Sequence, residues 1–182
     1  MRIGATSFVT PVRIYDLDLA TGERILLREQ PVLGDYRPQD YVERREWAVA
    51  ADGARVPISI VHRAGLQFPA PVLLYGYGAY ESCEDPRFSI ARLSLLDRGM
   101  VFAVAHVRGG GELGRTWYED GKLLRKGNTF TDFVAVAEHL GSDTFLYVDA
   151  GPQGMLTARY IGELDLHPGD KVSLIPDPAR IH

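Results

Sequence analysis

The sequence predicts an α/β domain whose sheet is covered on both faces, with antiparallel strands before it and a small all-β segment after it. Two apolar runs, residues 72–77 and 100–107, enclose a helix-like stretch at residues 88–98. Buried strands joined by a covering helix are typical of α/β sheets. Short alternating strands precede this pattern, and turn-rich strands without a helical period follow it.

The first segment, residues 1–35, predicts a hairpin from an antiparallel sheet. Residues 13–19 alternate between apolar and polar side chains, residues 20–23 form a turn, and residues 24–27 run back. Residues 31–39 are rich in Pro and Gly and lack periodicity, which indicates a linker.

The central segment, residues 36–140, adds strand candidates at 46–50 and 56–62 with a turn between them. The predicted helix at 88–98 places Ile90, Leu93, Leu96 and Ala91 on one face.

A second helix is predicted from Asn128, as its N-cap, to about residue 140. Its core-facing stripe is expected to be Phe130, Phe133, Val134, Ala137 and Leu140.

The last segment, residues 141–182, contains predicted strands at 145–149, 155–160 and 171–175, joined by GPQG and HPGD turns. The change from an α/β to an all-β pattern predicts a domain boundary near residue 140.

Composition favours a cytoplasmic protein without nucleic-acid or membrane partners. The net charge is −4, and no apolar stretch has the length of a membrane helix. Cys83 is the one cysteine, so no intrachain disulfide can form and a reducing compartment is expected. The five histidines lack paired metal-ligand spacing, and we expect neither a metal nor a cofactor.

A glycine-rich stretch, residues 106–116, contains G-x-G-x-x-G and nearly matches a P-loop. We interpret both matches as coincidental. A dinucleotide-binding turn should open directly into a long helix, but residues 117–121 (WYEDG) interrupt one. Arg115 occupies the place of the P-loop lysine, which reaches the phosphates from inside a tight loop.

The serines of the chain do not supply a hydrolase nucleophile. None of the seven lies in G-x-S-x-G, the turn that exposes the nucleophile of α/β-hydrolases. A Gly- and Tyr-rich turn at residues 75–80 follows an apolar strand, where α/β-hydrolases place part of the oxyanion hole. Taken alone, that turn is better interpreted as an ordinary aromatic-rich loop.

Together, these stretches resemble the prolyl oligopeptidase family, and most of all its oligopeptidase B branch, cytosolic peptidases that cleave after Arg or Lys. The resemblance rests on VLLYGYGAY and on FSIARLSLLDRGMVFAVAHVRGGGELGRTWYEDGKLLRKGNTFTDF. It implies an incomplete α/β-hydrolase sheet, preceded by strands derived from a β-propeller. It also implies that the chain stops before the catalytic serine, with the Ser-Asp-His triad absent.

The resemblance assigns roles to single residues. Tyr77 matches the tyrosine whose hydroxyl donates to the oxyanion, and Asp85 matches an acid that helps to bind basic substrate side chains. Arg87 stands where a second acid often occurs, which puts the subsite for dibasic peptides in doubt. The stretch 108–112 matches a signature loop with a structural role. Short peptides are the implied ligands.

The tail ending in HPGDKVSLIPDPARIH resembles a different family, the transport-associated OB-type (TOBE) domain that ends ATPase subunits of sugar-type ABC importers. Three interpretations stay open. The chain is an inactive piece of a peptidase, a non-enzymatic binding or regulatory module built on the tail, or part of a longer frame that encodes an intact peptidase.

The strand order of the α/β-hydrolase sheet, which the resemblance implies, has a physical consequence for the strand at residues 72–77. In that order the serine-bearing strand pairs beside it, so without the serine strand this strand becomes an open sheet edge. We therefore expect marginal stability or self-association through that edge, unless a strand of the tail covers it.

Overall fold

The computed structural model describes residues 1–141, 144–149 and 155–160. Its strands are β1 (Arg2–Ala5), β2 (Arg13–Leu17), β3 (Arg24–Glu29), β4 (Tyr41–Val49), β5 (Arg55–Arg63), β6 (Val72–Tyr75), β7 (Val101–Ala105), β8 (Thr144–Asp149) and β9 (Met155–Tyr160). Its α-helices are α1 (Ile90–Leu96), α2 (Arg115–Glu119) and α3 (Gly127–His139), with short 3-10 turns at Pro38–Asp40 and Leu123–Arg125. The predicted α/β character is confirmed.

The chain divides into two compact units, Met1–Ala137 and Glu138–His182. In the first unit, β1, β2 and β3 form an antiparallel sheet, which confirms the predicted hairpin. A second sheet has the order β4-β5-β7-β6. Its pairs β4–β5 and β5–β7 are antiparallel, and β6 runs parallel to β7.

The parallel pair β6–β7 is joined through α1, so it forms a β-α-β unit at one side of the second sheet. All five residues of β7 are buried, as expected for a strand with neighbours on both sides and cover on both faces. The residues of β6 instead alternate between half-buried and exposed. The apolar run at 72–77 is therefore an outer strand of the described sheet.

The core between the sheet and α1 joins distant parts of the chain. Its buried members are Phe8, Val9, Val61, Leu93, Leu96, Phe102 and Val104. Tyr36 packs against this cluster and its hydroxyl donates to the Val9 carbonyl. The loop after β1 is thus tied to the second sheet, and the predicted boundary at residue 35 stays a prediction.

Helix α1 is shorter than predicted and begins at a serine cap. The Ser89 side chain accepts a hydrogen bond from the Arg92 amide, as an N-cap does. Leu93 and Leu96 are buried as predicted, but Ile90 is exposed, because it lies in the first turn, away from the sheet.

Helix α3 corrects two predictions. It begins at Gly127, so Asn128 is not its N-cap; the Asn128 amide donates to the Asp120 carbonyl. Phe130 and Val134, predicted to face the core, are 65% and 54% exposed. The buried side chains are Thr129, Asp132, Ala135 and Val136. The helix turns this mixed face inward because Asp132 pairs with a buried arginine.

In the second unit, β8 and β9 pair antiparallel from Thr144↔Tyr160 to Asp149↔Met155. This confirms the strands predicted at 145–149 and 155–160. The strand predicted at 171–175 lies outside the described residues. None of the helices in the described part of the chain has the length and apolar character that a membrane span requires.

Candidate functional site

The loop after β6 carries Tyr77 between two closely packed glycines. A Cβ on Gly76 would lie 3.0 Å from the Phe133 ring, and one on Gly78 would lie 2.5 Å from the Thr129 methyl group. Gly78 also has a φ of 63°, which favours glycine. The backbone is therefore held tightly against α3, while the Tyr77 side chain remains 47% exposed.

The glycine-rich loop after β7 packs against this Tyr77 loop rather than presenting its amides to a ligand. The amides of Gly109, Gly110, Gly111 and Gly114 donate to carbonyls of Trp117, Val107, Ser82 and Gly111. The helix that follows, α2, has only five residues. These four amides are not available to bind phosphate, in agreement with the interpretation that the motif matches are coincidental.

Arg108 anchors the glycine-rich loop to α3. Its Nη2 and Nε lie 2.6 Å and 3.1 Å from Asp132 Oδ1, and its amide donates to Asp132 Oδ2 at 2.9 Å. Its Nη1 donates to Asp52 Oδ2 at 2.6 Å. The hydrogen bond to Asp132 raises the pKa of Arg108 against the opposing effect of burial. Such bidentate charge-assisted pairs hold both partners in a fixed geometry.

A second network is centred on the buried side chain of His106, which follows β7. Its Nε2 lies 2.8 Å from Ser59 Oγ and 2.9 Å from Arg45 Nη1, and its Nδ1 lies 3.2 Å from Glu112 Oε1. Since arginine only donates, Nε2 is the acceptor, and Nδ1 carries the proton that is donated to Glu112. The Glu84 amide also donates to Glu112 Oε1, at 3.0 Å. This network ties the Tyr77 loop to the sheet.

The order serine, histidine, carboxylate in this network is also that of a nucleophilic triad. Two features of the structure argue for a positioning role instead. The Ser59 hydroxyl accepts a hydrogen bond from Arg45 at 2.8 Å. The nearby glycine amides that could stabilise an oxyanion already donate within the protein.

The carboxylate of Glu112 is adapted to its buried position. Burial alone would raise its pKa, but hydrogen bonds from His106 and the Glu84 amide outweigh burial and lower it. A Cβ on Gly110 would lie 2.3 Å from Glu112 Oε2, so this glycine makes room for the carboxylate.

Asp85 and Arg87 lie exposed at the far end of the same loop. The Arg87 carbonyl accepts a hydrogen bond from Arg92 Nη1 at 2.7 Å. Burial raises the pKa of the nearby Cys83 thiol, and the negative charges of Glu112 and Asp85 raise it further. The loop is thus an acidic region in which the thiol stays protonated at neutral pH.

The structure brings Tyr77 and Asp85 onto one loop, at the surface of the described part of the chain. Two shallow cavities, of about 460 Å³ and 390 Å³, lie beside Met1 and beside Leu123. Neither is lined by Tyr77 or Asp85. Among the described residues, no cluster of three His, Cys, Asp or Glu side chains is arranged to hold a metal ion.

Sequence reasoning did not find the His106 and Arg108 networks. Their partners lie between 6 and 61 residues away along the chain. A charged or imidazole residue directly after an apolar strand was the one available signal, and it does not reveal a partner.

Comparison with known proteins gives matches to two family models. Residues 86–152 match the prolyl oligopeptidase family and residues 126–182 match the TOBE domain, so the two matches overlap at 126–152. The chain is 47% identical over 152 residues to dipeptidyl aminopeptidase BI of Pseudoxanthomonas mexicana, which covers 82% of this chain and 21% of that protein. It is 48% identical over 136 residues to protease 2 of Moraxella lacunata, covering 74% and 20%.

Solved structures of oligopeptidases support the same relationship. Oligopeptidase B from Trypanosoma brucei is 50% identical with a TM-score of 0.71, covering 76% of this chain and 20% of that one. The chain belongs to the prolyl oligopeptidase family. The chain spans about a fifth of the length of the peptidases that it matches.

Another relative aligns with nearly the whole chain, including most of the residues that the TOBE model matches. Prolyl endopeptidase of Elizabethkingia meningoseptica is 31% identical over 178 residues, 97% of this chain and 24% of that protein. A peptidase alignment therefore extends into the region that the TOBE model matches.

Proposed function

We propose that residues 36–140 are the N-terminal part of an α/β-hydrolase peptidase domain of the oligopeptidase B type, with residues 1–35 derived from its β-propeller. In this proposal the loop after β6 is the oxyanion side of the active site. Tyr77 donates to the oxyanion, and Asp85 contacts a basic side chain of a peptide substrate. The single cysteine supports a reducing, cytoplasmic location.

The observation that carries the proposal is the position of Tyr77. It stands at the carboxyl end of a parallel strand, where open α/β sheets bind their ligands. Close packing of Gly76 and Gly78 fixes its backbone, and its side chain is accessible. A fixed backbone limits the positions that the Tyr77 hydroxyl can reach, which reduces the reorganisation needed as charge develops on the substrate.

The 182-residue chain alone is proposed to be inactive. It has no G-x-S-x-G turn, and an oxyanion donor without a nucleophile and base retains little of an enzyme's rate. The pure chain should neither release the reporter from a peptide that ends in Arg nor react with a fluorophosphonate probe. Reproducible turnover that co-purifies with the chain would contradict this.

The binding role of the loop can be tested separately by NMR. Titration with an arginine amide should shift amide signals of residues 77–85. Asp85→Asn should reduce those shifts, whereas Asp35→Asn, a change of another exposed aspartate, should not. Shifts that are confined to other parts of the chain would overturn the assignment of Tyr77 and Asp85.

A second candidate is a ligand-binding or regulatory module in the tail, as in ABC importer ATPase subunits. The match of residues 126–182 to the TOBE domain favours it. The peptidase alignment that reaches 97% of the chain favours the first candidate instead. Specific recovery of importer subunits with the tagged chain, lost when the tail is changed, would support the module.

A further inference from the structure

The exposed residue Asp85 lies between two anchored points of the loop that follows β6, and the first of them is Glu84. The Glu84 amide donates a hydrogen bond to Glu112 Oε1 at 3.0 Å. The Glu84 side chain contacts Tyr75, at the end of β6. Burial, the negative charge of Glu84 and a hydrogen bond between the two side chains raise the pKa of Tyr75. Both the main chain and the side chain of the residue before Asp85 are therefore held.

The second anchored point comes directly after Asp85. The next residue, Pro86, has a fixed φ and also disfavours helical backbone at the residue before it, which is Asp85. The Arg87 carbonyl then accepts a hydrogen bond from Arg92 Nη1 at 2.7 Å. Arg92 is itself held, because its Cζ lies 4.3 Å from the centroid of the Phe102 ring, within cation–π range. The backbone on this side of Asp85 is thus restricted as well.

Glu112, which supports the first anchored point, is fixed from the side of the sheet. Its side chain is only 11% exposed, and Oε1 also accepts the hydrogen bond from His106 Nδ1 at 3.2 Å. Among the described residues, no hydrogen-bond donor reaches the buried Oε2. One oxygen of the carboxylate therefore makes both hydrogen bonds. An amide group with its oxygen in the same place could make the same two bonds.

We infer that Glu112 and Tyr75 are positioning residues for Asp85, which they place for a cationic side chain by holding Glu84. The inference rests on the proposed role of Asp85 in binding a basic side chain. Exposed ion pairs are weak, partly because both side chains lose conformational freedom when they meet. A carboxylate on a backbone that is already held loses less freedom on binding. Release of Glu84 should therefore weaken cation binding without any change to Asp85 itself.

Titration of the full chain with arginine amide, followed by NMR, tests the role of Glu112. Glu112→Ala removes the acceptor of both hydrogen bonds. At a fixed ligand concentration below saturation, the shifts of residues 77–85 should fall at least about fivefold. Glu112→Gln removes the same charge but keeps an oxygen acceptor, so it should retain most of the shifts. Val136→Ala, which loses buried packing elsewhere, should retain them too and controls for lowered stability. Equal losses in the two Glu112 variants, or an equal loss in Val136→Ala, overturn the inference.

Tyr75→Phe tests the second contact of Glu84 and remains informative if Glu112→Ala does not fold, because only a hydroxyl group is lost. The arginine-amide shifts should fall about twofold, less than in Glu112→Ala, since a single hydrogen bond at a half-exposed position is removed. Tyr80→Phe, the same change at an 84% exposed tyrosine of the same loop, should leave the shifts unchanged. Equal effects of the two changes, or no effect of Tyr75→Phe, contradict the role of Tyr75.

Amide hydrogen exchange without any ligand separates this inference from the proposed function. In wild type, the Glu84 amide should exchange at least about tenfold more slowly than in an unstructured peptide. This protection should be lost in Glu112→Ala and kept in Glu112→Gln. A wild type that shows the protection but does not bind arginine amide would overturn the binding role of Asp85 and leave the held loop in place. A Glu84 amide that exchanges freely in wild type would overturn the positioning role of Glu112.

Discussion

The Arg108 guanidinium is shared between two carboxylates that differ in their exposure to water. Asp132 is fully buried, whereas the Asp52 side chain is half exposed. Removing one partner of a buried ion pair leaves the other charge without compensation, which costs about 3–5 kcal/mol, while exposed pairs contribute less than about 1 kcal/mol. Asp132→Ala should therefore lower the free energy of unfolding far more than Asp52→Ala, as measured by urea denaturation. Equal losses would show that Arg108 is hydrated in solution.

The lowered pKa of Glu112 predicts how stability depends on pH. A carboxyl whose pKa is lower in the folded than in the unfolded state stabilises the fold fully above its ordinary pKa, about 4.3. That contribution is lost as the pH falls through the folded value. Glu112→Gln should therefore be less stable than wild type at pH 6, and the difference should shrink between pH 5 and pH 3. Urea midpoints at three pH values measure this, and a constant difference would contradict it.

At the scale of elements, α3 offers a matched pair of valines. Val136 is fully buried, and Val134, two residues earlier, is 54% exposed. Val136→Ala removes two buried methyl-sized groups and should cost about 2 kcal/mol with the resulting cavity. Val134→Ala should change stability by less than about 0.5 kcal/mol, helped by the higher helix propensity of alanine. If the two losses are similar in urea denaturation, the outward stripe of α3 is covered in solution.

The same helix marks the limit of what the sequence could predict. Its apolar period gave the extent of the helix to within a residue, but the period also placed Phe130 and Val134 inside. The inward face was chosen by the Arg108–Asp132 pair, whose partners are 24 residues apart and belong to different elements. An amphipathic pattern shows which residues of a helix are apolar, but a buried charge pair can decide which face of the helix packs inward.

At the scale of the whole molecule, composition and period predicted the strands but not their order. The runs at 72–77 and 100–107 look alike in the sequence, yet β7 lies between two strands and β6 lies at the edge. That difference arises because the crossover from β6 through α1 places β7 between β5 and β6. The loop that carries Tyr77 and Asp85 was located from the family resemblance. The hydrogen-bond networks of His106 and Arg108 that hold this loop were visible only in the structure.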